Sequence, residues 1–229
     1  GLGDVYKRHV LMKTNYKNTE NKFEVKDNIT LMTVLKKNGS EITAKIDTTD
    51  LDKVKNAGVW FAEWNKDSNS YTIQNISTTA VNKKSKPLKQ SLQNFVMDAN
   101  SNTPIIHINK DTLDNRKSNL TLFDRKEKNE IEKLDNNTIA ILLKDRNGNV
   151  TSKALISAED LNNVVTNEYT WVNHKVKGEP CVIANTPNGR IHLDTVIMGT
   201  SEGEKIHHIN LNPLDNRREN LEIKSEPIE

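Results

Sequence analysis

One cysteine, Cys181, is present in 229 residues, so no internal disulfide can form and no cysteine-rich zinc site can be built. It sits in the apolar run Pro180 to Ala184 and is expected to fill core space. No stretch approaches the ~18 consecutive apolar residues of a membrane span. The N-terminal residues show no apolar signal region, and a cytoplasmic, reducing location is the resulting expectation. Aromatic residues make up 5 % of the chain and apolar residues 34 %, so a core has to be spread over small modules. The net charge of +2 is too small to name a partner. Its distribution is uneven: residues 136–229 hold 10 Lys+Arg against 13 Asp+Glu, and residues 1–135 hold 23 against 18. A solvated surface of mixed charge would look much the same.

What the chain does have is a repeat. Ile106-His107-Ile108-Asn109 is followed by Leu113-Asp114-Asn115-Arg116-Lys117-Ser118-Asn119-Leu120. His207-His208-Ile209-Asn210 is followed, at identical spacing, by Leu214-Asp215-Asn216-Arg217-Arg218-Glu219-Asn220-Leu221. Upstream, Leu92, Phe95, Val96 and Met97 fall on Leu193, Val196, Ile197 and Met198, and Trp60 falls on Trp171. Earlier still, Asn38-Gly39 and Asn147-Gly148 each separate two apolar runs, the pattern of a β-hairpin. Each hairpin leads to an acidic helix start, with Thr48 and Ser157 as expected N-caps.

These patterns predict an α+β fold of two units, 27–130 and 136–229, preceded by a polar arm or tag remnant at 1–26. Each unit reads as hairpin, short helix, strands around the tryptophan, short helix, then the histidine segment. Arg125 to Lys133 reads as an exposed helix joining the units. Alternation along Trp60 to Asn65 places Trp60 and Trp64 on one face, so both are expected to pack inward. Trp171 is expected in core as well. Outward polar positions include Thr72, Gln74, Asn173 and Lys175.

The repeated segment resembles the phage-type HNH endonucleases, which commonly carry Asp-His-Ile-Asn, a short gap, then Leu-Asp-Asn-Arg-Arg-x-Asn-Leu. The strands before it resemble the three-stranded DNA-binding sheet of plant ethylene-response factors. The resemblance implies a small antiparallel sheet with short helices, followed by a ββα-metal motif, in each unit. It also implies roles. His107 and His208 would take the place of the base that activates water, and Asn119 and Asn220 would orient those imidazoles. An acid before the histidine should bind the metal, but Ile106 stands there in the first unit and His207 in the second. The ligand on the later helix would fall near Lys128 and at Glu229. No metal is expected in the first unit. Asp194 and His207, with His208 and Glu229, remain candidates for a rearranged site in the second.

The leading expectation is therefore a double-stranded-DNA-binding protein derived from an HNH nuclease, with catalysis lost, no cofactor and no membrane association, used as a regulator. Phosphate contacts are expected from Arg116, Lys117, Arg217 and Arg218 in the repeated turn and from Lys83, Lys84 and Lys86 in an acid-free loop. One alternative is a divalent-metal-dependent endonuclease active through the second unit. A protein-interaction module is the other, favoured by the acidic second unit.

Overall fold

The computed structural model describes residues 15–225. The chain separates into two compact units, Gly1–Phe123 and Asp124–Glu229. Both are mixed α and β, built mostly from small sheets with a few short helices.

The first unit opens with an antiparallel meander of β1 (Lys22–Lys26), β2 (Ile29–Leu35) and β3 (Glu41–Asp47). Strict alternation along β2 buries Thr30, Met32 and Val34 and leaves the residues between them half-buried. The β2–β3 turn works because Gly39 takes φ 84°, and Asn38 accepts the Ser40 backbone N–H at 3.0 Å. A 3-10 turn, Thr48–Asp50, leads into the helix Leu51–Asn56. Strands β4 (Trp60–Asn65), β5 (Ser70–Val81) and β6 (Pro87–Ser91) follow as an antiparallel set, with β4 touching β2 in parallel at Phe61 and Leu35. After the helix Leu92–Val96, β7 (Ile105–His107) pairs with β8 (Leu120–Leu122). Trp60 is fully buried with Met32, Ile46, Ile73 and Leu92, and its Nε1 donates to the Val54 carbonyl at 2.9 Å.

The second unit repeats this order. Strands β9 (Ile131–Lys133), β10 (Thr138–Lys144) and β11 (Val150–Ser157) form the meander. The turn Ala158–Asp160 and helix Leu161–Val164 come next. Strands β12 (Val172–Val176), β13 (Glu179–Thr186) and β14 (Gly189–His192) form the three-stranded sheet. The helix Leu193–Met198 leads to β15 (Glu204–His208), β16 (Asp215–Asn216) and β17 (Leu221–Ser225). Trp171 is fully buried with Ile141, Ile156 and Leu193, and its Nε1 donates to the Val164 carbonyl at 2.8 Å.

Four sequence expectations change. Residues 22–26 are not an arm but the edge strand of the first meander. Arg125 to Lys133 is not a helix: it forms a turn and then β9, and Ile131 pairs with Ile141. That correction moves the boundary of the second unit ahead of residue 136, and among the described residues no helix closes a ββα motif after β8. Thr48 and Ser157 make no side-chain cap to their helices; Thr48 Oγ1 instead donates to the Asp27 carbonyl at 2.7 Å.

An asparagine clamp stands just ahead of each meander. Asn21 Nδ2 donates to the carbonyls of Thr33 (3.2 Å) and Trp60 (2.8 Å), and its Oδ1 accepts the Trp60 N–H at 2.8 Å. Asn129 makes the same three bonds to Leu142 (3.1 Å) and Trp171 (2.9 and 2.7 Å). One amide thus ties the meander to the tryptophan strand and satisfies backbone groups at the sheet junction. Replacing Asn129 with Ala should destabilise the second unit by about 2–3 kcal/mol, since three bonds go and the Trp171 N–H loses its acceptor. Urea unfolding would measure this; a shift under about 0.5 kcal/mol would show that the clamp is dispensable.

Candidate functional site

The two histidine loops share one hydrogen-bond pattern. The amide of Asn119, 6 % exposed, lies at the centre of the first. Its Nδ2 donates to the Asp114 carbonyl (2.8 Å) and to Asn109 Oδ1 (2.9 Å), and its Oδ1 accepts the Asn109 N–H (2.9 Å). Asn220 does the same with Asp215 and Asn210 at 2.8, 2.9 and 2.9 Å. Asn109 and Asn210 also donate to Asp114 Oδ2 (3.1 Å) and Asp215 Oδ2 (2.8 Å). The sharp bend at this point requires a left-handed residue, Lys110 at φ 63° and Leu211 at φ 62°. Each loop is sewn to its hairpin as well: Lys45 N donates to Leu113 O and Leu155 N to Leu214 O, both at 2.8 Å.

The expected partner of the histidine is wrong by four residues. His107 Nε2 bonds Asn115 Oδ1 at 2.9 Å, and His208 Nε2 bonds Asn216 Oδ1 at 3.0 Å. Each Asn Nδ2 is directed at a backbone carbonyl, Thr112 (3.3 Å) or Pro213 (3.2 Å), so its oxygen faces the ring and Nε2 carries the proton. Asn119 and Asn220 hold the loop backbone instead. Burial pushes the His107 pKa below its ordinary value, opposed by the bond to Asn115, so the ring is favoured neutral.

The basic turns are neutralised from within. Arg116 forks onto Asp114 through Nε (2.8 Å) and an Nη (2.7 Å), and Arg217 forks onto Asp215 at 2.8 Å through both. Arg217 also reaches Glu219 at 2.6 Å. Lys117 Nζ meets buried Asp50 at 3.1 Å, and Arg218 forks onto buried Asp160 at 2.8–3.2 Å. Asp47 Oδ2 and Ser157 Oγ accept the Lys117 and Arg218 backbone N–H groups at 2.8 and 3.0 Å. Sequence reasoning missed Asp50 and Asp160 as buried partners of these cations. Their signal was the repeated Asp-Leu at the same place in both hairpin-to-helix junctions.

Other positions fall as follows. Ile106 offers no ligand atom, and Asn129, one residue past Lys128, has its side chain committed to the clamp on Trp171. Among the described residues no three His, Cys, Asp or Glu side chains gather to hold a metal. Asp194 instead accepts the Thr195 N–H at 2.7 Å, and His207 lies opposite Glu222. Glu229 lies outside the described residues. Cys181 is not core filler: alternation places it on the face opposite Trp171, half-exposed, with Sγ 3.0 Å from His192 Nδ1. Trp64 is not packed inward but 50 % exposed, because β4 runs past the end of the core. Thr72 is buried. Lys83, Lys84 and Lys86 cap the β5–β6 hairpin, exposed, in a turn held by Asn82 Oδ1, which accepts the Lys84 and Lys86 N–H groups.

No protein-family model matches the chain, and no curated protein or solved structure matches it. No helix among the described residues is long and apolar enough to cross a membrane.

Two outcomes follow from the ion pairs. Hydrogen bonds from Arg116 and Arg217 hold the carboxyls of Asp114 and Asp215 below the usual carboxylate range. A lowered folded pKa means that the unfolded chain binds the proton first. This contribution is therefore complete above the ordinary value of about 4 and is lost as pH falls through the depressed values. Stability should decline below about pH 4, and it should do so less steeply in Asp114→Asn and Asp215→Asn variants followed by circular dichroism. The second outcome concerns Asp50 Oδ2, which is buried without a hydrogen-bond partner among the described residues. Lys117→Arg supplies the fork already present at Arg218 and should stabilise the first unit by about 0.5–1.5 kcal/mol. An unchanged urea midpoint would contradict that assignment.

Proposed function

We propose that this chain binds duplex DNA through its first unit, on a scaffold of two HNH-like loops with ethylene-response-factor-like sheets before them, and that the loops serve architecture rather than phosphodiester hydrolysis. The observation that carries the reading is the lysine-tipped hairpin. Strand β5 runs 12 residues, whereas its counterpart β13 runs 8. The second unit thus builds the same core without the extension, so folding does not demand it. Lys83, Lys84 and Lys86 enter no ion pair among the described residues. Three unpaired ammonium groups on a rigid turn suit phosphate oxygens, which a protein reaches by displacing condensed counterions. Charge agrees: residues 1–123 hold 19 Lys+Arg against 13 Asp+Glu, a balance of +6, and residues 124–229 hold 14 against 18, a balance of −4.

The four cations of the repeated turn take no part in this proposal as phosphate ligands, because each already serves an aspartate. The histidines serve the loops for a related reason. In both loops Nε2 donates its proton to an asparagine oxygen, which ties the ring to its own loop, and in the first unit Ile106 stands where an acid would have to hold a metal beside it.

Gel shifts on duplex DNA across a salt series would test the proposal. Affinity should fall as salt rises. Replacing Lys83, Lys84 and Lys86 together by Ala should flatten the log–log slope by up to about 3, roughly 0.9 for each phosphate no longer neutralised. Absence of salt-sensitive binding to any duplex would sink it. Nicking of plasmid with Mg²⁺ or Mn²⁺ that His208→Ala abolishes would replace it with the endonuclease reading.

A further inference from the structure

The chain has three tryptophans, and they are not alike. Trp60 and Trp171 are fully buried, each with its indole N–H on a backbone carbonyl. Trp64 is 50 % exposed, and its indole N–H meets no protein acceptor among the described residues. Its ring is held nonetheless. Tyr71, its cross-strand partner in β5, meets it edge-to-face with centroids 5.0 Å apart. Lys36, just past β2, places its Nζ 4.6 Å from the centre of the Tyr71 ring. The Tyr71 carbonyl accepts Thr112 Oγ1 at 2.6 Å, which fastens this end of the sheet to the histidine loop of the same unit.

The second unit serves as an internal control. The pair corresponding to Trp64 and Tyr71 is Lys175 and Pro180, facing each other in the same register. That unit folds to the same pattern with no aromatic there. A half-exposed indole, braced edge-to-face by a second ring and absent from the same register position of the second unit, presents a fixed flat face to which an aromatic ligand can stack. The Lys36 ammonium over the Tyr71 ring adds a positive charge at this end of the sheet and favours a ligand that is also anionic.

We infer that Trp64, braced by Tyr71 with Lys36 over the Tyr71 ring, is a stacking platform for an unpaired base of a single-stranded nucleic acid. The inference rests on the nucleic-acid reading in its broad sense but not on the lysine-tipped hairpin or on duplex binding. A nucleobase offers the flat π-face that the indole can cover, and the phosphate next to it offers the charge that the Lys36 ammonium group can meet. Duplex bases are stacked on one another and present no such face.

The burial of Trp60 and Trp171 makes the experiment clean, because quenching by a base has to come from Trp64. The full chain is titrated at low salt with a thymine oligonucleotide on the order of ten nucleotides long, and indole emission is followed. Emission should fall and saturate. Trp64→Phe should bind with the emission change gone. Trp64→Ala should weaken binding by about fivefold or more, the usual effect of removing one stacking ring. Trp64→Lys, which copies the residue of the second unit, should do the same without loss of fold by circular dichroism. Binding without a change in emission, as for a featureless polyanion such as heparin, would overturn the inference. So would unaltered affinity in Trp64→Ala, or no binding of the oligonucleotide. Gel-shifted duplex with no quenching by the single strand defeats this inference alone, and quenching without a duplex shift defeats the duplex proposal alone.

Discussion

A buried carboxamide holds each unit's histidine loop in shape. Asn119 in one unit and Asn220 in the other have their donors and acceptor engaged by the chain around them, in a setting nearly closed to water. An amide is suited to this because it offers donor and acceptor from one planar group, and an aspartate or leucine of like volume offers only one or neither. Leaving any of these backbone groups unpaired in such a place costs about 1–3 kcal/mol. The loop can therefore tolerate a left-handed residue at its bend, and it can carry the leucine and aspartate that dock alongside β3 or β11. Hairpin, sheet and loop become one body through that docking.

The same pairing rule governs the charges. Each loop buries an aspartate at its centre and a second at the hairpin-to-helix junction, and both are matched by neighbouring cations of the repeated turn. Arginine forks fill both oxygens of three of the four carboxylates, while Lys117 reaches only one oxygen of Asp50. Basic residues in a polar loop look like a surface for phosphate when read along the chain. In space they neutralise acids that the loop has brought inside. Lys83, Lys84 and Lys86 on the hairpin tip of the first unit enter no ion pair among the described residues.

Duplication separates what the fold requires from what it merely permits. Shared by both copies are the asparagine clamp on the tryptophan strand, the buried tryptophan, the polar knot and the paired aspartates. Differing between them are the length of the second hairpin, its lysine tip, and the Trp64–Tyr71 pair. Features of the second kind are free of folding duty, and all three occur in the unit with the positive balance. The cysteine beside His192 is a difference of the opposite sense, confined to the acidic unit.

Much was legible in the residues themselves. The duplication, the α+β class, the Asn-Gly hairpins and the burial of Trp60 and Trp171 follow from spacing and alternation, which are local properties that a linear string preserves. Partners distant in sequence are not local. The clamp joins Asn129 to Trp171, the ion pair joins Arg218 to Asp160, and Trp64 lies exposed because β4 outruns a core whose edge is set by other strands. Alternation gives the face on which a side chain stands but not whether anything covers it. Periodicity likewise allowed a helix over Arg125 to Lys133, and pairing with β10 made it a strand. Residue types and their repeat were determined by sequence; which donor meets which acceptor was decided only when the chain closed on itself, because a hydrogen bond depends on the distance between two atoms and not on their order along the chain.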